Sequence, residues 1–180
     1  MAITERVIRL PGSTHTVLTA TPDLPEPFVR DYGAAVPGAT LRDVTASNPY
    51  VPWTAGAMYS TRDDLRVWVM GLANGSLLSP EMPQQRLTMT PFAGEGLDVR
   101  YGLGVLSING LTGHSGGIFS YGSWTVHAPK EDATIVVLTN PANTAGGGSD
   151  LIFIQIVQLL FPERFDNVTS ATPASATPSI

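Results

Sequence analysis

The sequence contains no cysteine and a single lysine, and only 14% of its 180 residues are charged. Without cysteine, disulfides, thiolate nucleophiles, iron–sulfur clusters and cysteine zinc sites are all excluded. The low charged fraction, against about 25% in typical soluble domains, leaves Ser, Thr, Gly and Pro to form much of the surface. The net charge of −5 opposes non-specific attraction to phosphate backbones, so we expect no nucleic-acid partner.

Long hydrophobic runs are also missing. The longest apolar stretch, residues 151–161, is eleven residues long and contains two glutamines, whereas a membrane-spanning helix needs ~20 apolar residues. We therefore expect no membrane span. Residues 1–6 lack the basic start and apolar stretch of a secretory signal. This fits either an intracellular protein or a chain that is not the whole precursor, so the compartment stays open.

The residues that are present, 43% of them hydrophobic, suffice for one domain. Its first part, residues 1–53, is predicted to be loop-rich, because closely spaced prolines forbid long helices there. These prolines lie at positions 11, 22, 25, 27, 37, 49 and 52. Within this part, residues 3–9 have the apolar spacing of a short helix.

The second part, residues 54–91, is predicted to be helical. Ser60–Asp63 forms an acidic capping box, and apolar residues then recur at helical spacing from Leu65 to Leu72. Asn74-Gly75 favours a left-handed stop, which predicts a helix over about 61–74.

A shorter helix is predicted to follow. Ser79-Pro80-Glu81 places a cap, a first-position proline and a first-turn acid in order. Pro91 must end this helix.

The third part, residues 101–161, is predicted to be a sheet followed by a helix. Asn109-Gly110 is a strong hairpin signal, and residues 120–128 and 133–140 read as two further strands around a proline-containing turn. Residues 149–161 then form a nearly all-round apolar helix, which should be buried against the sheet. The fold class is therefore α+β, with an antiparallel C-terminal meander flanked by helices.

Two finer expectations concern the strand at 133–140 and the end of the chain. The run from Ile135 to Leu138 does not alternate, which indicates a strand covered on both faces and central in its sheet. Residues 169–180 are low-complexity and are predicted to be a disordered tail beyond the domain at 1–168.

The stretch Gly113-His-Ser-Gly-Gly117 is the best candidate for chemistry, since a His and a Ser lie beside unobstructed backbone. As G-x-S-x-G it would be a nucleophile elbow, but that elbow must lead from strand to helix. As a trypsin-like Gly-x-Ser-Gly-Gly it would need His15 and Asp63 or Asp64 in a strand-rich fold. A tight turn with an exposed histidine is the plain alternative.

A third interpretation covers more of the chain. Residues from about 5 to 161 resemble the C-terminal portion of the penicillin-recognising serine hydrolases, the branch of class C β-lactamases, D-alanyl-D-alanine carboxypeptidases and esterases. Three segments occur in the same order as in the family. Residues 54–65 are similar to its Ala-Gly-x-x-x-Ser-x-x-Asp-Leu helix start, and Tyr101-Gly-Leu-Gly104 is similar to its Tyr-Gly-Leu-Gly strand. His114-Ser-Gly116 is similar to its Lys-Thr-Gly or His-Thr-Gly motif.

The resemblance implies an incomplete β-lactamase-like or transpeptidase-like fold and a serine hydrolase acting on D-alanyl peptides, β-lactams or esters. It implies that the Gly117 N–H is a catalytic oxyanion donor and His114 a catalytic electrostatic partner, while Ser115 and Gly116 bind a small-molecule or peptide substrate. It implies no cofactor and no metal.

The sequence departs from the family in two motifs. Lys130 is the only lysine and has His127 three residues before it, so the nucleophile motif Ser-x-x-Lys is absent; Tyr-x-Asn is absent as well. We therefore expect the chain to be inactive alone, with 133–140 presenting an unpaired edge, and to self-associate or to require an N-terminal lobe. The alternative function is a non-catalytic binding or assembly module derived from the family.

The remaining candidates are expected to be structural. His15 is predicted to be a loop residue and His127 an exposed strand residue, without the spacing of a metal site. Asp63 and Asp64 are predicted to cap a helix. The three tryptophans are predicted to pack in the core or along the cleft.

Overall fold

The structure, a computed structural model, describes residues 3–9, 12–34, 39–79, 82–92, 97–140, 148–166 and 168. Ahead of the first long helix, the chain forms a π-helical turn at Thr4–Ile8 and a 3-10 turn at Trp53–Ala55, with four two-residue strands: β1 (Val17–Leu18), β2 (Tyr32–Gly33), β3 (Arg42–Asp43) and β4 (Met58–Tyr59). The helices are α1 (Arg62–Asn74), α2 (Met82–Arg86), α3 (Gly148–Leu160) and α4 (Pro162–Phe165). The longer sheet consists of β5 (Thr90–Pro91), β6 (Val99–Tyr101), β7 (Leu106–Ile108), β8 (Leu111–Ile118), β9 (Tyr121–Ala128) and β10 (Ala133–Thr139).

Helix α1 confirms the predicted helix within one residue. Its N-cap is Thr61, whose side chain accepts the Asp64 N–H, rather than Ser60 as the capping-box pattern suggested. Gly75 ends the helix with φ of 77°, in the left-handed conformation that glycine adopts without steric cost.

The six-stranded sheet is an antiparallel meander in the order β10-β9-β8-β7-β6-β5. Asn109 and Gly110 both have positive φ and form the two-residue turn between β7 and β8, as their sequence predicts. The strands predicted at 120–128 and 133–140 are β9 and β10. The predicted α+β class, an antiparallel sheet flanked by helices, is confirmed.

One face of the sheet packs against α3. Trp124 stacks on Phe153 with ring centroids 4.0 Å apart, and its indole N–H donates to the Asp150 carboxylate in the first turn of α3. The buried residues of this core are Leu106, Ile108, Leu111, Trp124, Val126, Ala128, Ile135, Val137, Phe153, Ile154, Val157, Phe161 and Phe165.

Helix α1 lies against β8, β9 and β10. Side chains from alternate positions of a strand point to opposite faces, so Thr125 and His127 of β9 lie on the face opposite Trp124. Both are buried, although His127 was predicted to be exposed; its Nδ1 lies 3.1 Å from the Thr134 hydroxyl. Because α1 is separate from the α3 core, we place it over this second face.

Strand β10 therefore packs against α3 on one face and α1 on the other, as its unbroken apolar run indicates, although Leu138 near its end is half exposed. It is not central, however: within the described residues β9 is its only strand partner, and β10 forms the edge of the sheet. The run of four apolar residues reports cover above and below the strand, and it carries no information on the number of neighbouring strands.

Two other expectations differ from the structure. Helix α2 ends at Arg86, and Pro91 lies in edge strand β5, where a missing N–H is tolerated. Trp53 stacks on Tyr50 at the surface with 45% of its area exposed, so it is not a core residue. Two predictions lie outside the described residues. They are the first-turn residues Pro80 and Glu81 of the shorter helix and the disordered tail at 169–180.

The loops before α1 are held by two buried carboxylates. Asp64 of α1 accepts main-chain N–H groups from Thr14 and His15, at 3.4 and 2.8 Å, and the Thr16 hydroxyl at 2.8 Å. Asp31 accepts the N–H of Ser120 at 3.1 Å and so joins these loops to the turn between β8 and β9.

Candidate functional site

The stretch singled out by the sequence lies in β8, near the middle of the sheet. Pairing with β7 ends at Gly113, opposite Leu106, whereas pairing with β9 continues to Ile118. Among the described residues, positions 114–118 thus have a strand on one side only. His114, Ser115, Gly116 and Gly117 all lie on this free edge, so the structure brings the four predicted site residues together.

The register shows which main-chain groups face the free edge. Ile118 and Tyr121 flank the two-residue turn and therefore form a hydrogen-bonded pair with each other, and hydrogen-bonded and non-hydrogen-bonded pairs alternate along an antiparallel ladder. The pairs of Gly117 with Gly122 and of Ser115 with Trp124 are then of the non-hydrogen-bonded type. Consequently, the N–H groups of Ser115 and Gly117 point away from β9, toward the free edge.

The three glycines of the stretch do different things. A Cβ on Gly113 would lie 2.0 Å from the Thr125 carbonyl oxygen, so this glycine is required by the close approach of β9. A Cβ on Gly116 would lie 2.9 Å from the Ser123 hydroxyl, whereas one on Gly117 would meet no atom within 4 Å. The face of the strand at Gly117 on which a side chain would lie is therefore open.

The His114 side chain is held at both ring nitrogens. Its Nε2 lies 2.8 Å from the Tyr101 hydroxyl, and its Nδ1 contacts the carbonyl oxygen of Ser115. The Tyr101 and His114 rings meet edge to face with centroids 5.6 Å apart. Sequence reasoning used Tyr101 only as part of a family pattern and missed this contact, which depends on the pairing of β6, β7 and β8.

In the Tyr-Gly-Leu-Gly segment, only Tyr101 belongs to a strand, and residues 102–104 form a turn instead of the strand that the family pattern suggested. Gly104 has φ of 67°, and the Gly102 N–H donates to the Val105 carbonyl at 2.8 Å. A Cβ on Gly102 would lie 2.4 Å from the carbonyl oxygen of Arg86 at the end of α2. Close packing of this turn onto α2 fixes the end of β6 and with it Tyr101.

The two rival interpretations of the glycine-rich stretch are wrong. Ser115 lies within an eight-residue strand, so it is not on a strand-to-helix elbow. Asp64 accepts the main-chain N–H of His15, while the His15 ring contacts the Thr14 hydroxyl at 2.9 Å, so the pair has no trypsin-like arrangement. The predicted structural role of His15 is consistent with these contacts.

The buried carboxylates have shifted pKa values. Burial raises the pKa of Asp31 above its ordinary value, and the Ser120 N–H opposes this shift only in part. Burial alone would raise the pKa of Asp64, but the hydrogen bonds from Thr16, His15 and Thr14 outweigh it and leave the pKa lowered. Neither group touches the free edge of β8 in the contacts described above.

The described part of the chain also contains a cavity away from β8. A cavity of about 400 Å³ lies among the loops before α1, lined by residues that include Phe28, Arg30 and Asp43, and it does not reach β8. Within the described ranges, no three His, Asp or Glu residues are grouped as metal ligands. No helix among the described residues is long and apolar enough to cross a membrane.

The chain matches the model of the family described as Beta-lactamase over residues 2–158. A search of curated proteins finds no match.

Several solved structures share the fold. The D-stereospecific amidohydrolase from Streptomyces sp. is 25% identical, with a TM-score of 0.72 over 78% of this chain and 43% of its own. The D-amino acid amidase from Ochrobactrum anthropi SV3, complexed with L-phenylalanine, is 19% identical, with a TM-score of 0.72 over 92% of this chain and 53% of its own. The penicillin binding protein from Bacillus halodurans is 19% identical, with a TM-score of 0.70 over 88% of this chain and 48% of its own. The chain thus spans about half the length of these structures.

Proposed function

Because the chain belongs to the beta-lactamase family, we propose that it forms the cleft wall of a serine hydrolase of this family. The reaction is acyl transfer or hydrolysis at an amide or ester bond. The substrate class is D-alanyl peptides, β-lactams or small esters. The names of the solved relatives, a D-stereospecific amidohydrolase, a D-amino acid amidase and a penicillin binding protein, extend this class to amides of other D-amino acids and favour amides over esters.

The observation that carries this proposal is the free edge of β8. The register directs the Gly117 N–H away from β9, and a Cβ on Gly117 would meet no atom within 4 Å, so in this proposal an acyl oxygen approaches the main chain here. A fixed donor of this kind stabilises the negative charge that develops on that oxygen, by roughly 3 kcal/mol in known oxyanion holes. In this proposal Gly117 is the oxyanion donor, His114 supplies electrostatic stabilisation, and Ser115 and Gly116 hold the substrate.

The nucleophile is the part that the 180 residues do not supply. The sequence has no Ser-x-x-Lys and no Tyr-x-Asn. A serine hydroxyl needs an adjacent base to attack an acyl group, and the Ser115 hydroxyl has no such base in the contacts described. Catalysis on this proposal requires a lobe that carries Ser-x-x-Lys, and the chain alone is inactive.

Mass spectrometry of the purified chain tests the assignment of Ser115. The chain is incubated with benzylpenicillin and, separately, with a nitrophenyl ester, and the intact mass is measured. We expect no acyl adduct. An adduct that maps to Ser115 would make Ser115 a nucleophile and overturn its assignment as a substrate-binding group.

A pair of variants tests the oxyanion donor. Gly117→Pro removes the N–H, whereas Gly117→Ala keeps it and places a Cβ in open space. Binding of D-phenylalanine amide is followed by NMR through the Ser115 amide. We expect Gly117→Ala to bind as the native chain does and Gly117→Pro to bind about tenfold more weakly, the equivalent of one hydrogen bond. Equal binding by both variants would contradict the proposed donor.

The edge of the sheet favours a second candidate function, a non-catalytic binding or assembly module. Within the described residues β10 pairs only with β9, and Leu138 on it is half exposed. Unpaired strand edges recruit other strands. Failure to bind any amide or β-lactam, together with association through β10, would favour this module over the hydrolase portion.

A further inference from the structure

We infer that Tyr101 is a positioning residue, which fixes the tautomer and orientation of His114 and thereby braces the Ser115 peptide group on the free edge of β8. The inference deepens the proposed function and rests on it for its relevance to substrate.

Hydrogen-bond chemistry sets the tautomer. The Ser115 carbonyl oxygen is only an acceptor, so the His114 Nδ1 that contacts it must carry a proton. In the neutral ring Nε2 is then an acceptor, and the Tyr101 hydroxyl at 2.8 Å is its donor. Tyr101 thus stabilises the one tautomer in which His114 can also hold the Ser115 carbonyl.

The ring geometry limits the motion of His114. The edge-to-face contact with Tyr101, at 79° between the planes, keeps the imidazole from turning while both nitrogens are engaged. Tyr101 in turn is fixed by the turn at Gly102, which packs against the Arg86 carbonyl. The orientation of His114 is therefore set by α2 and β6 rather than by β8 alone.

The consequence for the site lies in the main chain. The Ser115 carbonyl and the Gly116 N–H belong to one planar peptide unit. Holding that carbonyl from the side chain of His114 fixes the plane of this unit, which directly precedes Gly116 and the peptide unit that carries the Gly117 N–H. Because both ring nitrogens are engaged in the neutral form, His114 has no free N–H for substrate, so the electrostatic contribution proposed for His114 acts through this peptide group.

Nitrogen NMR of the histidine rings tests the inference on the intact chain. The chain has three histidines, and a His114→Gln sample identifies the signals of His114. At a pH of about 8.5, where imidazole is ordinarily neutral, we expect a protonated Nδ1 and an unprotonated Nε2. Protonation at Nε2 in the native chain would overturn the inference without any further variant.

Two matched hydroxyl deletions complete the test. Tyr101→Phe keeps the ring contact and removes only the donor to Nε2, whereas Tyr121→Phe removes a hydroxyl that donates to the Val29 carbonyl at 2.7 Å. We expect the His114 Nε2 signal to shift toward the protonated form, and the Gly116 amide signal to move, in Tyr101→Phe and not in Tyr121→Phe. Unchanged signals in Tyr101→Phe would refute the positioning role.

The readout is independent of ligand. A chain with the expected tautomer that binds no D-amino acid amide would contradict the proposed function and leave the role of Tyr101 intact. A chain that binds the amide but carries the His114 ring proton on Nε2 would contradict the role of Tyr101 and leave the proposed function intact.

Discussion

The C-terminal sheet and the loops before α1 are stabilised by different means. In the sheet, β7 to β10 and α3 bury a continuous set of apolar side chains, with the Trp124–Phe153 stack at its centre. The loops have only two-residue strands, and their connections to the rest of the chain include hydrogen bonds to Asp64 and Asp31. The sheet is held by apolar burial, whereas the loops depend on buried charge.

This difference has an energetic reason. Apolar burial is non-directional and scales with area, so it tolerates small changes in geometry and is insensitive to pH. A buried carboxylate has a desolvation penalty that only well-placed donors offset, which makes it sensitive both to substitution and to pH. The two regions should therefore respond differently to the following changes.

The largest effect is expected from Phe153→Ala. Phe153 is fully buried against Trp124, and loss of a buried aromatic ring costs about 3–5 kcal/mol of unfolding free energy. Urea unfolding measures this loss. The control is Leu159→Ala on the same helix, where 81% of the side chain is exposed, and we expect a change within about 0.5 kcal/mol. Equal effects would show that α3 is not the core that we describe.

An intermediate effect is expected from Asp64→Asn. An amide cannot accept all the donors that the carboxylate accepts, and we expect a loss of roughly 1.5–3 kcal/mol at neutral pH, since the acceptor is charged. The pKa of Asp64 is lowered in the fold, so its contribution is lost as the pH falls through the carboxyl range. The deficit of the variant should shrink at low pH. Asp63→Asn is the control, because Asp63 is three-quarters exposed.

Asp31→Asn should show the opposite trend with pH. The pKa of Asp31 is raised by burial, so the native chain is favoured at low pH and loses that stability as the pH rises through the folded pKa. Relative to the native chain, Asp31→Asn should gain stability with rising pH. Urea unfolding from acidic to neutral pH compares the two variants, and parallel trends would contradict the assigned shifts.

The smallest effect on stability, but a clear one on association, is expected from Leu138→Lys. Leu138 is 50% exposed on β10, so a charge there should change the unfolding free energy by less than about 0.5 kcal/mol. Sedimentation should show concentration-dependent association of the native chain and its loss in the variant, because a charged edge resists strand pairing. The control is Leu103→Lys, at an exposed turn remote from β10. A native chain that stays monomeric would overturn the expected self-association.

Local sequence patterns were informative where a single element decides the outcome. The apolar spacing and the Asn74-Gly75 stop predicted α1, and the Asn109-Gly110 pair predicted the β7–β8 turn. The family resemblance, carried by three short motifs, also predicted the antiparallel meander. These features depend on contacts within a few residues or on patterns that the family preserves in order.

Patterns were misleading where distant residues decide the outcome. Burial of His127 depends on Thr134 and on the layer over β9. The apolar run of β10 predicted a central strand, whereas the edge position expected from the missing family strands is the one observed among the described residues. The cap of α1 moved from Ser60 to Thr61 because the Ser60 hydroxyl lies 2.7 Å from the Thr16 hydroxyl, a partner in a distant loop. None of these contacts has a local signature.

The sequence by itself determined the fold class, the helix α1, the strands β9 and β10 and the short list of candidate site residues in β8, because propensity, turn chemistry and ordered motifs act over short distances. Only the tertiary structure decided that the pairing of β8 with β7 ends at Gly113 and leaves a free edge of β8 beyond it. The same is true of the contact between Tyr101 and His114. A two-residue turn fixes the register of a single hairpin, but the point at which strand pairing ends and the meeting of side chains from β6 and β8 are set by packing of the whole sheet, which no stretch of a few residues encodes.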